Sequence, residues 1–512
     1  MKSRKIIAVS VALVMAAGIF AGCSKTDTQP KSDAGAKTAQ TQKEPLKIRM
    51  LVNLPTDFPQ ENNQIVQEIE KKTNVKLDLV IPPANNFVEK RNLLLASGEP
   101  LDVVTFVNTA DTQYTNGVKQ GTFIDVKKYV EKAENIKKYV PAVTLQYVTN
   151  DDGTMTAIPG TTLMRSDGYM IRKDWMDKLG IKEVPTTIEG LYDMFKAFAK
   201  QDPDGNGKDD TYALSANNGS IYWIDKLAPI WGAGMGWQED STGKLYLTDY
   251  RGDGYKEALK FATKLMKEGI VDPEIIANKT ADEKWRSGKI GAYMGYSGWL
   301  AKERDLIKKS VPTAELTYMQ IPDTKEGKAV HMALSSTGHY MVYAITNQAK
   351  DPEGIVKFFD ATLGDDVWNL MVNGIEGIHY NVKDNKKEAT PEFTKYNVWR
   401  SSLAFLRRPD IDFYVPKDLN EADTKLVSDF MKKSAENVTV DKAIGHQTPT
   451  MSEMAKAADW TKKRQELVNK IIYGQAPLEA WDQYVKEYKA AGYDKVEKEM
   501  NDWYQQNVKG KK

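Results

Sequence analysis

Hydrophobic and polar positions alternate along the first part of the chain in an order that predicts strands separated by helices. The stretches "LKIRMLVN", "VKLDLVIPP" and "LDVVTFV" have the apolar alternation and β-branched content of strands. Between the first two, Ile65, Val66 and Ile69 fall on one face of a helix, and "FVEKRNLLLASGEP" predicts a second helix closed by turn residues. This order predicts a parallel sheet with helices on its faces.

Three later segments have the apolar spacing of amphipathic helices. In "VPTTIEGLYDMFKAFAK", Thr186 and Glu189 are spaced as a capping box. The predicted buried stripe of this helix comprises Leu191, Met194, Phe195 and Phe198. "PEGIVKFFDATL" and "PLEAWDQYVKEYKAAGYDKVEKEMNDWYQQ" predict further helices, and no internal repeat is found. The pattern therefore indicates an α/β protein.

The first residues have the composition of a secretory signal. Lys2, Arg4 and Lys5 precede the apolar run "IIAVSVALVMAAGIF", which ends in small residues before Cys23. We predict a signal peptide over residues 1–22 and a flexible polar tether over residues 23–45. Cys23 is the only cysteine, which excludes a disulfide framework.

Charge and length narrow the class of protein. The formal net charge is +1 for 512 residues, and it becomes slightly negative once the three basic residues of the predicted signal are removed. No basic block suggests a nucleic-acid partner. No second apolar stretch is long enough to span a bilayer, and the length predicts two or three domains.

The segment "FAGC" resembles the bacterial lipobox, in which the cysteine becomes the acylated first residue of the mature chain. The alternative is an idle cysteine near a cleavage point. The resemblance implies that Cys23 carries lipid and tethers a soluble domain to the outer face of a bacterial cell membrane.

Several segments together resemble the extracellular solute-binding proteins of carbohydrate ABC importers, the superfamily that includes maltose-binding protein. They are "LLLASGEPLDVVTF", "GYMIRKDWMDKLGIKEVPTTIEGLYDMFKAF", "WRSGKIGAYMGYSGWL" and "DPEGIVKFFDATL". In the third, Gly291 displaces the family's alanine by one position. "GIEGIHY" and "WDQYVKEYKAAGYDK" narrow the resemblance to the long oligosaccharide-binding lipoproteins.

The resemblance implies two α/β lobes, each a mainly parallel sheet flanked by helices, joined by a hinge that the chain crosses more than once. The expected N-terminal lobe comprises residues 46–165 plus 325–380, and the expected C-terminal lobe comprises residues 166–324 plus 381–512. Sugar would bind between the lobes of a monomer, which would hand it to membrane permease subunits without catalysis.

Aromatic residues in the middle third are candidates for stacking on sugar rings, whose C–H faces pack on flat aromatic platforms. They are Trp223, Trp231, Trp237, Trp285, Tyr296 and Trp299. Trp299 is favoured, because the resemblance places a stacking aromatic at that position. For each of the others, packing in the core is the competing interpretation.

Polar candidates come from two loops. "GIEGIHYN" contains Glu376, His379 and Tyr380 near an expected crossing between lobes, where a ligand or hinge role competes with a plain structural turn. Asn108 and Asp111 follow the end of a predicted strand, where open α/β sheets bind ligands.

The segment "DPDGNGKDD" has the spacing of an EF-hand calcium loop. With Asp202 as position 1, side-chain oxygens would come from Asp202, Asp204 and Asn206, a backbone carbonyl from Lys208 at position 7, and a water-mediated contact from Asp210 at position 9. The alternative is an exposed turn made of ordinary turn residues.

One position departs from the EF-hand pattern, and a second departs from the calcium loop of related binding proteins. Position 6 is the required Gly207, but position 12 is Ala213 instead of glutamate. The loop resembles that of alginate-binding members of the superfamily, where a carboxylate follows position 9; here Thr211 stands there. The resemblance implies a structural Ca²⁺, and the candidates for the remaining ligand are Asp209, Thr211, a distant carboxylate and water.

Two other classes of protein, a glycoside hydrolase and an adhesin, compete with a binding protein as the interpretation of this sequence. The histidines form no H-E-x-x-H motif, and no G-x-S-x-G elbow occurs. A lipid-anchored glycoside hydrolase needs two carboxylates about 5 to 9.5 Å apart, which sequence neither finds nor excludes. An adhesin that binds polysaccharide without transport is the third alternative.

Overall fold

The computed structural model describes residues 44–510, apart from gaps at 56–57, 60, 84–85, 151, 166–167, 218, 279–280, 296, 324–330, 333–337, 385, 418, 437 and 444. The predicted signal peptide, Cys23 and all but the end of the predicted tether lie outside the described residues. Within the described ranges, no helix combines the length and the apolar composition that crossing a bilayer requires.

The order of strands and helices follows the predicted alternation in the first part of the chain. The strands are β1 Leu46–Leu51, β2 Val75–Val80, β3 Val103–Phe106, β4 Ala157–Thr161, β5 Tyr169–Arg172, β6 Trp237–Glu239, β7 Leu245–Leu247, β8 Ala292–Tyr293, β9 Leu316–Met319, β10 His331–Met332, β11 His339–Ile345, β12 Tyr380–Lys383, β13 Lys386–Ala389 and β14 Val438–Thr439.

The helices are more numerous than the sequence pattern predicted. They are α1 Gln64–Thr73, α2 Phe87–Ala96, α3 Thr112–Lys119, α4 Lys127–Val130, α5 Glu134–Tyr139, α6 Ala142–Tyr147, α7 Lys173–Lys178, α8 Ile188–Lys200, α9 Tyr222–Leu227, α10 Gly254–Lys267, α11 Ala281–Arg286, α12 Leu300–Lys308, α13 Pro352–Thr362, α14 Asp365–Asn373, α15 Pro391–Leu403, α16 Ile411–Tyr414, α17 Glu421–Ala435, α18 Pro449–Ala457, α19 Trp460–Ile472, α20 Ala480–Tyr488 and α21 Asp494–Tyr504.

The first sheet has the strand order β2-β1-β3-β11-β4. β1 runs parallel to β2 and β3, as predicted. β11 is antiparallel to both of its neighbours, so the expectation of a mainly parallel sheet is correct only for the first three strands. The antiparallel strand comes from residues far along the chain, and no local pattern shows where it inserts.

The second sheet has the order β8-β5-β9, and both pairings are antiparallel. Parallel bridges join Tyr212 to Ile290 and Leu214 to Val271. The expectation of a mainly parallel second sheet is therefore wrong for its strand pairings, because β5 is flanked by two strands that return toward it.

The helices predicted from apolar spacing are confirmed, with one corrected cap. Ile65, Val66 and Ile69 are the buried face of α1, and the four predicted residues of α8 are all buried. The cap of α8 is Thr187 and not Thr186, because the Thr187 hydroxyl accepts the N–H of Gly190 at 3.1 Å.

Apolar side chains gather in three clusters. The first surrounds the five-stranded sheet and also takes in Phe393 and Phe430 from α15 and α17. The second packs α8, α10 and α19 around β5. A third lies between the β6–β7 hairpin and α21 and contains Met500. The predicted limits of the two lobes stay predictions.

Candidate functional site

Three strands of the first sheet end or begin next to the segments that connect the two sheets. This row of strand ends is called the first edge. Phe106 ends β3, Thr161 ends β4, and β11 begins at His339, which lies opposite Thr161. The chain leaves this edge after Thr161 for the second sheet, and it returns to this edge at His339.

The second sheet also has a row of three strand ends next to these connecting segments, which is called the second edge. β5 begins at Tyr169, β8 ends at Tyr293, and β9 ends at Met319, which lies opposite Tyr169. Residues 162–168 join the two edges directly, and residues 320–338 join them in the reverse direction. A ligand held by both sheets would therefore lie beside these connections, as in other α/β proteins that bind ligands at strand ends.

The first edge presents small polar groups beside an aromatic pair. The rings of Tyr147 and His339 stack with centroids 4.0 Å apart. The Thr109 N–H donates to the Tyr147 hydroxyl at 3.1 Å, and the half-buried Asn108 accepts the N–H of Ala110 at 3.0 Å. Burial lowers the pKa of His339 to about 4, so its imidazole is neutral at pH 7 and polar without being charged.

The second edge carries two exposed aromatic rings. Trp299 lies immediately before α12 and is 44% exposed, and Tyr222 begins α9 and is 45% exposed. Tyr222 lies near Tyr169: burial raises the pKa of Tyr169, and the Tyr222 phenol adds to the rise. Sequence analysis missed Tyr222, because "IYWIDKL" has the composition of an ordinary buried helix.

Three of the predicted stacking tryptophans are buried instead. Trp223 packs in the second cluster, Trp237 in the third and Trp285 in the first. With at most 5% of their surface accessible, these rings cannot offer a face to a sugar in this structure. Each ring packs in the core against neighbouring aromatic or aliphatic side chains. The ring of Trp285, for example, stacks on that of Tyr293 with centroids 5.2 Å apart.

The remaining predicted aromatics differ in position. Trp231 is half-buried, with its ring centroid 5.6 Å from that of Phe261. Tyr296 lies outside the described residues. Trp299 is therefore the predicted platform that the structure places at the surface of the second edge.

"GIEGIHY" forms a tight structural turn. His379 is buried, and its Nδ1 accepts the N–H of Ile375 at 3.0 Å. Gly374 has φ of +80°, and a Cβ there would lie 2.6 Å from the His379 ring, which explains the glycine. Tyr380 is buried and begins β12, whereas Glu376 is exposed. This geometry accounts for His379 and Tyr380 without a ligand.

The carboxylate of Asp111 is also held by contacts within the protein. It caps α3 by accepting the backbone N–H of Gln113 and Tyr114. Its other carboxylate oxygen lies 2.8 Å from the guanidinium of Arg91, which is almost completely buried. Both carboxylate oxygens are thus engaged, and Asn108 is the better ligand candidate of the pair.

The acidic loop after α8 is held by its own hydrogen bonds. Asp202 accepts the N–H of Asn206 and of Gly207, each at 3.0 Å. The Asn206 amide donates to Asp204 at 2.8 Å and to Asp210 at 3.1 Å. The described part of the chain holds no group of three or more His, Cys, Asp and Glu side chains that could hold a metal ion as they are arranged in this structure.

A lysine from a later part of the chain, Lys289, forms ion pairs with two aspartates of this loop. The Nζ of Lys289 lies 3.1 Å from Asp204 Oδ2 and 2.7 Å from Asp210 Oδ2. Its backbone carbonyl accepts the N–H of Tyr212 at 2.9 Å, which fixes Lys289 beside the loop. Thr211, a candidate for the remaining metal ligand, is buried and donates to the carbonyl of Phe198 at 2.9 Å, so its hydroxyl is committed to the core.

Comparison with known proteins places these features in context. The family described as bacterial extracellular solute-binding protein matches residues 56–367. The polygalacturonan/rhamnogalacturonan-binding protein YtcQ of Bacillus subtilis (strain 168) is 27% identical over 511 residues, which cover 97% of this chain and 98% of YtcQ. The fructooligosaccharide ABC transporter substrate-binding protein FusA of Streptococcus pneumoniae (serotype 4) is 30% identical over 299 residues, or 54% of each chain.

Solved structures share the fold. Alginate-binding protein AlgQ2 without calcium ion superposes with a TM-score of 0.65 at 23% identity, covering 90% of this chain and 98% of AlgQ2. FusA in complex with kestose gives a TM-score of 0.62 at 22% identity, covering 91% of this chain and all of FusA. These likenesses confirm the predicted fold class, a two-lobed α/β binding-protein fold.

Proposed function

The chain belongs to the family of bacterial extracellular solute-binding proteins, and we propose that it captures an oligosaccharide between its lobes and delivers it to the permease subunits of an ABC transporter. YtcQ binds polygalacturonan and rhamnogalacturonan, and FusA is the substrate-binding protein of a fructooligosaccharide transporter. The predicted absence of catalysis belongs to this proposal, since these relatives are binding proteins.

Two chain connections, residues 162–168 and 320–338, join the strand ends of the first sheet to those of the second, and this observation carries the proposal. The second edge exposes Trp299 and Tyr222. The first edge offers Asn108 and the neutral imidazole of His339. Aromatic faces hold the C–H surface of a pyranose, and uncharged polar groups orient its hydroxyls, which is the composition of a carbohydrate site.

Closure of the cleft is proposed to follow ligand binding. The chain passes between the lobes after β4 and before β11, and the short parallel pair of β10 and β14 joins His331 to Val438. A few residues in such connections are sufficient to absorb a hinge rotation. We assign residues 46–165 and 325–380 to the N-terminal lobe and residues 166–324 and 381–512 to the C-terminal lobe.

The acidic loop has the donor chemistry of a calcium site. Asp202, Asp204, Asn206, the Lys208 carbonyl and Asp210 supply the oxygen ligands that Ca²⁺ prefers, and the Lys289 ammonium already stands between two of the carboxylates. AlgQ2 has been solved without calcium ion, and an EF-hand mutant of FusA has been solved as well. Bound calcium would supply a divalent charge that holds these oxygens together.

Loading of the loop requires its side chains to exchange partners. Asp204 and Asp210 must release the Lys289 ammonium, and the Asn206 amide must turn its oxygen toward the ion, an exchange that costs little for an exposed amide. The loop lies at the end of α8 and not at the sheet edges, so its role is structural.

Attachment to the membrane is proposed through Cys23. Acylation at the "FAGC" site would hold the binding domain at the outer face of the cell membrane, near its permease. The polar stretch that follows would act as the tether. We propose that the domain works as a monomer.

A thermal-shift screen with oligosaccharides tests the function, because a ligand that binds only the folded protein raises its melting temperature. We expect at least one oligosaccharide to raise the melting temperature of the wild type and of Tyr246→Ala, but not of Trp299→Ala. Tyr246 is a half-exposed control ring on β7. A melt that shifts with peptides alone would refute the proposal, and release of reducing ends would show a hydrolase.

A further inference from the structure

Each exposed ring at the second sheet edge has a lysine beside it. The Nζ of Lys302 lies 5.0 Å from the centroid of Trp299, and the Nζ of Lys226 lies 5.0 Å from the centroid of Tyr222. Both lysines follow their ring by about one helical turn, so α9 and α12 place ring and ammonium on the same face.

Neither ammonium has a carboxylate partner among the residues that the structure describes. Neighbouring lysines do: Lys284 and Lys289 are each paired with aspartate. The acidic residues next to the two rings are already neutralised. Asp225 lies 2.7 Å from Arg464, and Glu303 lies 2.8 Å from Arg286. The edge therefore combines two stacking surfaces with two positive charges that are not balanced locally.

From this arrangement we propose that the second sheet edge is specific for sugars that bear a carboxylate, that is, for oligosaccharides of uronic acids. The proposal rests on the proposed function and narrows its ligand. A uronate pyranose can pack its C–H face on Trp299 or Tyr222 while its carboxylate accepts a charge-assisted hydrogen bond from Lys302 or Lys226.

A neutral sugar gains less from the same edge. To stack on either ring it must displace an ammonium from the ring face, and it offers that ammonium only hydroxyl groups in return. A carboxylate replaces the displaced contact with an ion pair. Lys226 and Lys302 are thus specificity-determining residues, and the two rings bind acidic and neutral sugars alike.

The test compares sugars that differ only in charge. Trisaccharides of galacturonate, glucuronate and mannuronate are titrated calorimetrically into the full-length protein, each beside its methyl ester, with xylotriose and mannotriose as neutral probes. We expect at least one acid to bind roughly tenfold or more tightly than its ester at low salt, with the advantage shrinking as salt increases.

Variants assign the charge preference to the two lysines. In Lys226→Met/Lys302→Met the acid should bind no more tightly than its ester, and the ester should bind at least as tightly as it does to the wild type, because it no longer displaces an ammonium from either ring. Lys308→Met is the control, because Lys308 lies on α12 with Lys302 but is paired with Glu315. This variant should still bind the acid more tightly than the ester.

Two results would overturn the inference and leave the proposed function standing. One is an ester or a neutral trisaccharide that binds as tightly as every acid, and the other is an acid preference that survives in the double variant. If no saccharide of any kind binds, the proposed function fails together with the inference.

Discussion

The ammonium of Lys289 lies 2.7 Å from a carboxylate oxygen of Asp210 and also contacts Asp204. A loop with the ligand spacing of a calcium site is therefore closed by a cation that the protein supplies itself. Lys289 and a metal ion cannot both occupy the space between these carboxylates. The calcium ion proposed for this loop would therefore compete with Lys289.

Lys289→Met should increase the affinity for calcium. The variant removes a competitor bound by two partly exposed ion pairs, each contributing up to about 1 kcal/mol, so we expect roughly a tenfold smaller dissociation constant by calorimetry. Lys208→Met is the matched control, because it removes one charge from the same loop without a contact to Asp204 or Asp210. Equal effects of the two variants, or weaker binding in Lys289→Met, would contradict direct competition.

Calcium should raise the melting temperature of the wild type, and Asp204→Ala should abolish that rise. Asp204 supplies one of the predicted side-chain oxygens, and a metal that binds only the folded state stabilises it by mass action. Differential scanning calorimetry with calcium and with chelator measures the effect. An identical melt in both conditions for the wild type would show that the loop is an ordinary exposed turn.

Arg464→Met should lower the free energy of unfolding more than the loss of an exposed ion pair does. The guanidinium lies 2.7 Å from Asp225 and 3.1 Å from Asp249, and burial raises the pKa of Asp249. Removing the arginine leaves two half-buried carboxylates without a counter-charge, which costs about 1 to 3 kcal/mol of unfolding free energy. Arg251→Met, which breaks an exposed pair with Asp240 at 3.0 Å, should cost about 1 kcal/mol or less.

Chemical denaturation at pH 7 compares these two variants directly. If both variants lost a similar amount of unfolding free energy, solvent would screen the ion pairs of Arg464 as it screens surface pairs.

His339 should make stability depend on pH between about 4 and 6.5. Its folded pKa of about 4 lies below its usual value of 6.5, so the unfolded chain binds the proton more readily. The contribution to stability is complete above pH 6.5 and is lost as the pH falls toward 4. At pH 4.5 the loss amounts to about 2 to 3 kcal/mol.

His339→Phe keeps a ring against Tyr147 and removes the proton site. Denaturant unfolding at pH 7.5 and pH 4.5 should show a smaller loss on acidification in the variant than in the wild type. Equal losses in the two proteins would place the titration on another group, such as His379, whose pKa is also lowered by burial.

The sequence predicted local structure better than it predicted which side chains meet. Alternation located β1 to β3 and apolar spacing located α1 and α8, because those patterns depend on neighbours along the chain. The sequence pattern could not place β11 between β3 and β4, because that pairing joins residues 339–345 to strands more than a hundred residues earlier. The antiparallel pairings of β5 with β8 and β9 likewise join residues more than a hundred positions apart.

The candidate site shows the same limit. Trp285 and Trp299 lie in one short motif, yet Trp285 is fully buried and Trp299 is 44% exposed. Resemblance to the family favoured Trp299, whereas residue type alone favoured neither. Tyr222 was missed because its exposure results from where α9 starts at the sheet edge, a tertiary property that the sequence pattern does not carry.

Trp299 and Tyr222 at the second sheet edge are the residues on which we propose that an oligosaccharide binds. Isothermal titration of the tightest-binding oligosaccharide into the wild type, Trp299→Ala, Tyr222→Ala and the control Tyr246→Ala tests this proposal most directly. We predict that each edge variant loses roughly tenfold or more in affinity, about the contribution of one stacked ring, and that Tyr246→Ala binds as the wild type does. Unchanged binding in both edge variants would contradict the account.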